Sequence, residues 1–219
     1  MRDVREHWPI TSHQVLAENR FAAFVEDKFT APDGELLRRQ YLLHPGSVAI
    51  LALDEQGRVA VIDQYRHPVA TRTVELPAGL LDIAGEDPLA AAQRELAEEA
   101  RLAADNWRVL VDFYSSPGIS QETARIYLAW GLRQVPLPEG FVVEGEEAHM
   151  SLAWLPLAEL LAGINAGELE NPAMILGCLS LQLALTSDKV SELRPGDAPW
   201  PMRSNKLEQD ARLAALRHA

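Results

Sequence analysis

Two rhythms of hydrophobic and polar positions run along the chain. Short runs of strand type come first: residues 15–18, 21–25 and 36–42 read as strands. Between the last two, Ala31-Pro32-Asp33-Gly34 supplies a turn, because Pro presets φ while Asp and Gly tolerate the left-handed region. Three short strands bury little by themselves. Residues 1–44 are therefore expected to form a small β-rich subdomain that packs on the rest of the chain or on a second subunit.

From His44-Pro45-Gly46 onward the runs lengthen into a main domain expected over residues 45–187. Residues 48–53 and 59–65 flank Asp54-Glu55-Gln56-Gly57 and read as a hairpin. A strand at 73–76 and a loop Pro77-Ala78-Gly79 follow. Next comes a helix over 88–100, with Asp87 as N-cap and Pro88 in the first turn. Strands are predicted at 107–114, 124–130 and 151–154, and helices at 157–164 and 172–185, the latter opened by Asn171-Pro172. Residues 188–219 read as a tail rich in Pro and charge, with a short helix over 206–217. Strands with interspersed helices imply an α/β (α+β) sandwich with a mixed sheet between helices.

Composition narrows the class. The chain has 219 residues, 47% apolar and 24% charged, ordinary values for a soluble globular protein. The most apolar run, 172–185, is broken by Gly177, Ser180 and Gln182 and is too short to span a bilayer. The N-terminus leads into no apolar core of signal-peptide type, so a cytoplasmic protein without membrane partners is expected. Cys178, the single cysteine, permits neither an internal disulfide nor a cysteine-rich zinc site, and reads as a buried thiol. A net charge of −12 disfavours nucleic acid as a partner. A small phosphorylated ligand stays admissible if a metal ion and a few arginines neutralise its site.

Candidate chemistry concentrates in Arg94-Glu95-Leu96-Ala97-Glu98-Glu99. On a helix, positions 95, 98 and 99 share a face, while Leu89, Ala92, Leu96 and Ala100 form an apolar stripe beside it. Clustered carboxylates repel one another. Binding a hard divalent cation such as Mg²⁺, which takes oxygen ligands and bridges them to phosphates, is one reason for such clustering. A solvated acidic face is the commoner reading of the hexapeptide taken alone.

Context changes that weighting. Upstream stand Glu75-Leu76-Pro77-Ala78-Gly79-Leu80-Leu81-Asp82 and Gly85-Glu86, and Glu86 lies seven intervening residues before Arg94. This arrangement resembles the Nudix hydrolases, whose box reads G-x5-E-x7-R-E-U-x-E-E-x-G-U with U aliphatic. Two positions depart from it: six residues separate Gly79 from Glu86, and Arg101 replaces the late glycine. Arg101 implies a costlier helix cap or a helix running slightly further.

The resemblance implies a Nudix-type α/β/α sandwich and metal-assisted hydrolysis. Glu95 and Glu99 would be the principal metal ligands, Glu98 a further ligand or a charge in the cluster, and the Ala78 carbonyl another oxygen donor. Arg94 would orient the carboxylates, and Glu86 would anchor the joint between loop and helix. Mg²⁺ is the expected ion, with Mn²⁺ as a substitute.

Three patches outside the box resemble the ADP-ribose pyrophosphatase branch, closest to its actinobacterial type. They are Gln64-Tyr65-Arg66 with Glu75; Ser115-Ser116-Pro117-Gly118-Ile119-Ser120-Gln121-Glu122; and the acidic loop Glu144-Gly145-Glu146-Glu147. Each alone has a plain reading as a surface charge, a tight turn or a solvated loop. The resemblance implies substrate contacts from Arg66, Glu75, Pro117, Gly118 and Ser120. It also implies a catalytic set of Arg94, Glu98 and a general base, Glu146 or, next, Glu147. ADP-ribose would be cut to AMP and ribose 5-phosphate. The alternatives are a GDP- or UDP-sugar pyrophosphatase and a non-catalytic ADP-ribose sensor. Adenine would stack on one of Trp8, Phe21, Phe24 or Phe29, among which the sequence does not choose. A homodimer that exchanges N-terminal strands is expected.

Overall fold

The computed structural model describes residues 1–138 and 149–216. In chain order its elements are β1 (Ile10–Glu18), β2 (Ala23–Thr30), β3 (Leu36–Leu43), β4 (Ser47–Ala52), β5 (Arg58–Arg66), β6 (Thr71–Glu75), β7 (Ala78–Leu80), α1 (Pro88–Ala100), β8 (Leu102–Tyr114), β9 (Thr123–Gln134), β10 (Ser151–Pro156), α2 (Leu157–Ala166), α3 (Pro172–Thr186), β11 (Arg194–Pro195) and α4 (Pro201–Leu216). They form two compact units. One comprises residues 47–113 and 124–199, the other residues 1–46, 114–123 and 200–219.

The larger unit contains a five-stranded sheet in the order β11-β8-β9-β4-β7 and a three-stranded sheet in the order β10-β5-β6. The five-stranded sheet is mixed, since β4 runs parallel to β9 and antiparallel to β7. Here the expected hairpin is corrected. β4 and β5 lie in different sheets, joined only by an isolated bridge between Leu53 and Val59. The turn itself forms as its residues dictate: Asp54 Oδ1 accepts from the backbone N–H groups of Gln56 and Arg58, and Gly57 takes φ +75. Beyond the turn the strands part. After Ser47 every residue of β4 is buried, which suits a central strand covered on both faces.

Helices cover that strand. α1 packs against β7 and β4, and α3 against β4 and β6. Leu51, Leu76, Ile126, Met174, Cys178 and Leu181 meet in the core. Burial pushes the Cys178 thiol up to about 12, so it stays a neutral packing group. Asn171 Oδ1 caps α3 by accepting from the N–H groups of Ala173 and Met174. The chain up to Pro199 is tied into this unit: β11 pairs with β8, and the buried Arg125 donates to the carbonyls of Ala198 and Pro199 while its fork holds Asp112.

In the smaller unit, β1, β2 and β3 form an antiparallel sheet. β2 continues through Glu26-Asp27-Lys28, where charge hides the strand signal. Asp27 is nonetheless buried, accepting from Tyr41 Oη at 2.7 Å and lying 2.6 Å from His13 Nδ1. α4 starts at Pro201, five positions before the sequence expectation, because Pro suits a first helical turn. Its buried members include Lys206 and Leu213. Trp8 packs on Phe29 with ring centroids 5.9 Å apart, whereas Phe21 and Phe24 are exposed. Among the described residues no helix is long and apolar enough to cross a membrane.

Candidate functional site

The site is built on α1 and the short strand beside it. Asp87 Oδ1 accepts from the N–H groups of Leu89 and Ala90, and Pro88 fills the first turn. The helix therefore starts at a fixed residue, which sets the rotation of everything downstream. Ala91, Ala92, Leu96 and Ala100 face inward, leaving Arg94, Glu95, Glu98 and Glu99 half-buried around them. At the far end Arg101 adopts φ 53 and ψ 40, and its N–H bonds to Ala97 O and Leu96 O. Of the two outcomes open for Arg101, the costlier cap is the one realised. A left-handed non-glycine residue costs roughly 1–2 kcal/mol.

Pro77-Ala78-Gly79, expected as a loop, contains β7, which pairs Ala78 with Ala49, Gly79 with Val48 and Leu80 with Ser47. This correction matters for the site, since pairing to the central strand fixes the backbone that α1 overlies. Ala78 N–H donates to Glu99 Oε2 at 2.8 Å. Gly79 passes so close that a Cβ there would fall 1.9 Å from Glu95 Cδ. Any side chain here would force the Glu95 carboxylate to move, and the position is the glycine with which the box opens.

Arg94 organises the acidic face. Its Nε and Nη2 donate to the two oxygens of Glu86 at 3.0 and 3.1 Å, while Nη1 donates to Glu95 Oε1 at 2.7 Å and Glu98 Oε2 at 3.0 Å. The hydrogen bonds to Glu86 come first among the causes that raise the guanidinium pKa, outweighing desolvation, so its charge is permanent. One arginine thereby ties the loop before α1 to two carboxylates on it, using the planar fork that Lys lacks.

Could this face hold a divalent cation? Its donors are carboxylate oxygens, the hard ligands such ions take, and the β7 backbone closes one side of the cradle. Among the described residues no three His, Cys, Asp or Glu side chains stand together as a ready ligand set. In this arrangement Arg94 holds Glu95 and Glu98, and Ala78 holds Glu99. The donor chemistry and the cradle both fit a cation.

Arg66 and Glu75 stand together across the β5–β6 pair. Arg66 Nε and Nη2 grip Glu75 Oε1 and Oε2 at 2.9 and 2.7 Å, and Thr73 Oγ1 also donates to Glu75. Burial would raise the Glu75 pKa. Hydrogen bonds from Arg66, Thr73 and Asn171 and the Arg66 charge reverse that and hold the carboxyl below its usual range. Neither Thr73 nor Asn171 was singled out in the sequence as a partner of Glu75; Asn171 was read there only as the start of a helix.

Pro117, Gly118 and Ser120 belong to the smaller unit. Pro117-Gly118 form a turn closed by Ser116 O, which accepts from the N–H groups of Ile119 and Ser120. Ser120 Oγ accepts from Glu122 N, and Ile119 O accepts from Leu42 N. Glu144, Glu146 and Glu147 lie outside the described residues.

A carboxylate-bearing helix, tied by one arginine to the preceding loop and laid over a strand of a mixed sheet, is the hallmark of a class. The chain belongs to the Nudix family: the NUDIX domain matches residues 43–173. Among its relatives, the ADP-ribose pyrophosphatase of Mycobacterium tuberculosis (strain ATCC 25618 / H37Rv) is 41% identical over 189 residues, covering 86% of this chain and 89% of that protein. The ADP-ribose pyrophosphatase of Bacillus subtilis (strain 168) is 36% identical over 124 residues, 57% of this chain and 66% of that one. A solved ADP compounds hydrolase superposes with a TM-score of 0.67 at 18% identity, covering 86% of this chain and all of the other, which shows a shared fold.

Proposed function

We propose that this chain hydrolyses the diphosphate of ADP-ribose, giving AMP and ribose 5-phosphate. The observation that carries the reading is the face of Glu95 and Glu98, ordered by Arg94, and Glu99, held by the Ala78 N–H, against the Gly79 backbone. The two ADP-ribose pyrophosphatase relatives support the substrate. Glu95 and Glu99, with Glu98 as accessory and the carbonyl of Ala78, would hold Mg²⁺, or Mn²⁺ in its place. Such an ion supplies charge neutralisation for the diphosphate in the transition state.

The chain's own residues do the rest. Arg94 orients the carboxylates of Glu95 and Glu98 on the face of α1. Arg66, held rigid by Glu75, presents a cation on the substrate side, and Pro117, Gly118 and Ser120 complete the substrate-binding set. Glu146, or Glu147 beside it, takes the proton from the attacking water as general base. Purified protein with ADP-ribose and Mg²⁺ releases AMP, and Glu99→Gln removes most of that rate; full turnover by Glu99→Gln overturns the ligand assignment. GDP- and UDP-sugars in the same assay give far lower kcat/KM.

The assembly proposed is a homodimer in which residues 1–44 cross to the partner and serve both dimerisation and substrate binding. Exposed Leu16, Phe24 and Leu36 on the N-terminal strands, with Phe21 in the turn between β1 and β2, support it. Light scattering that gives the monomer mass at every concentration refutes it.

A further inference from the structure

The smaller unit holds a cavity of about 360 Å³, whose lining includes none of Arg66, Glu75, Pro117, Gly118 and Ser120 and no residue of the carboxylate face. Its wall is formed by the β1–β2 turn, Gln121 and the 206-210-213 stripe of α4. The unusual member is Lys206, whose side chain is only 5% exposed. A buried ammonium is costly unless its donors meet acceptors. Among the described residues it meets one, Asp210 Oδ2, whose companion oxygen Oδ1 accepts from Gln121 Nε2 at 3.1 Å. Gln121 Oε1 is buried and has no hydrogen-bond partner among the described residues. Asp210 thus bridges an ammonium with donors to spare and a buried carbonyl that lacks one.

The surroundings limit what could satisfy both. Glu18 and Asp210 balance Arg20 and Lys206, so the lining offers no net charge to a phosphate. His44 adds none, because burial lowers its pKa against the pull of Glu122. Arg20 lies over the exposed Phe21 ring at 5.3 Å, giving the rim a flat stacked edge, and Leu43, Pro45 and Leu213 are apolar. An uncharged flat molecule suits such a lining, with one acceptor and one adjacent donor on its edge.

We propose that this cavity binds an uncharged planar ring carrying a carboxamide or lactam edge, its carbonyl accepting from Lys206 Nζ and its N–H donating to Gln121 Oε1. A carboxylate in place of the amide would satisfy Lys206 but set a negative oxygen against Gln121 Oε1.

Calorimetric titration of the full chain with nicotinamide, uridine and nicotinate tests this. Nicotinamide or uridine binds, the first indicating a carboxamide and the second a lactam, and nicotinate binds about tenfold more weakly or not at all. Gln121→Leu weakens the binding about tenfold, since the acceptor for the ring N–H has been removed. Lys206→Met weakens it likewise and provides the same reading if the first variant folds poorly. Absence of binding by both amides at millimolar concentration, equal binding of nicotinate, or undiminished binding by the variants overturns the proposal. The titration needs no turnover, so its failure leaves the hydrolytic reading untouched.

Discussion

Gly79→Ala isolates the close approach of β7 to the carboxylate face. The added Cβ would lie 1.9 Å from both Cδ and Oε1 of Glu95 and 2.5 Å from Cγ, where ordinary contact starts at 3.4 Å. Glu95 must therefore move its carboxylate by about 1.5 Å, the difference 3.4 − 1.9, or β7 must withdraw from β4. The side chain is the softer of the two, because β7 is paired at Ala78, Gly79 and Leu80. Moving Glu95 breaks its 2.7 Å contact with Arg94, a charge-assisted bond worth roughly 1.5–3 kcal/mol before solvent screening. The loss in stability is thus modest. The loss in rate is not: a catalytic group displaced by about 1 Å costs on the order of 100-fold. AMP release from ADP-ribose, measured beside a denaturant melt, should show kcat/KM down by about that factor with the fold intact. In a Glu95→Ala background the space is already vacant, so Gly79→Ala adds little, a non-additivity expected of touching residues. A Gly79→Ala enzyme with unimpaired turnover, or penalties that simply add in the double variant, would refute the steric reasoning.

Other consequences are as direct. Arg94→Lys keeps the charge but cannot span Glu86, Glu95 and Glu98 together. A loss of about 1–3 kcal/mol in a urea melt, with reduced kcat, is expected, and an unchanged melt contradicts the organising role. The Glu75 carboxyl is held below its unfolded value, so its contribution to stability is present above the unfolded pKa and is lost as pH falls through the folded one. Arg66→Gln removes the strongest lowering partner while burial still raises the pKa. Its acid-induced loss of stability therefore begins at higher pH than in the parent, and superimposable pH–stability profiles count against the pairing. Cys178, buried with its thiol pushed up to about 12, resists a thiol-specific reagent at pH 8 until denaturant is added. Rapid labelling of the native protein places it elsewhere.

What the sequence revealed divides along a physical line between local and non-local causes. α1 was legible at its start because its signals are local: Asp87 and Pro88 open it, and its apolar stripe repeats at helical spacing, whereas Arg101 left its end open between two outcomes. The α3 start was legible for the same reason, through Asn171-Pro172. Strand partners were not. Asp54 to Gly57 carries every mark of a hairpin turn and does turn the chain, yet β4 pairs with β9, whose residues lie more than seventy positions downstream. A turn decides direction, whereas pairing is decided by which strands reach the two edges of β4 once its faces are covered, and that depends on the whole fold. The unbroken apolar run of β4 was a usable hint, since a two-stranded hairpin with a wet face would alternate.

The carboxylate face shows the same division within a few ångströms. That Glu95, Glu98 and Glu99 share a face follows from helical geometry and needed only the sequence. That Arg94 reaches Glu86, Glu95 and Glu98 at once depends on where the preceding loop returns, and that loop carries an extra residue relative to the family box. The insertion is absorbed before the helix begins: Gly85 turns at φ +79, Asp87 resets the start of α1, and the grip of Arg94 on Glu86 is kept. Likewise the tightness at Gly79 arises from β7 pairing with β4 beneath α1, three segments brought together only by folding. The residue types on α1 specify which chemistry is available. The strand beneath it determines how little room those side chains have to move, which is why the most informative substitution in the site is a glycine rather than a glutamate.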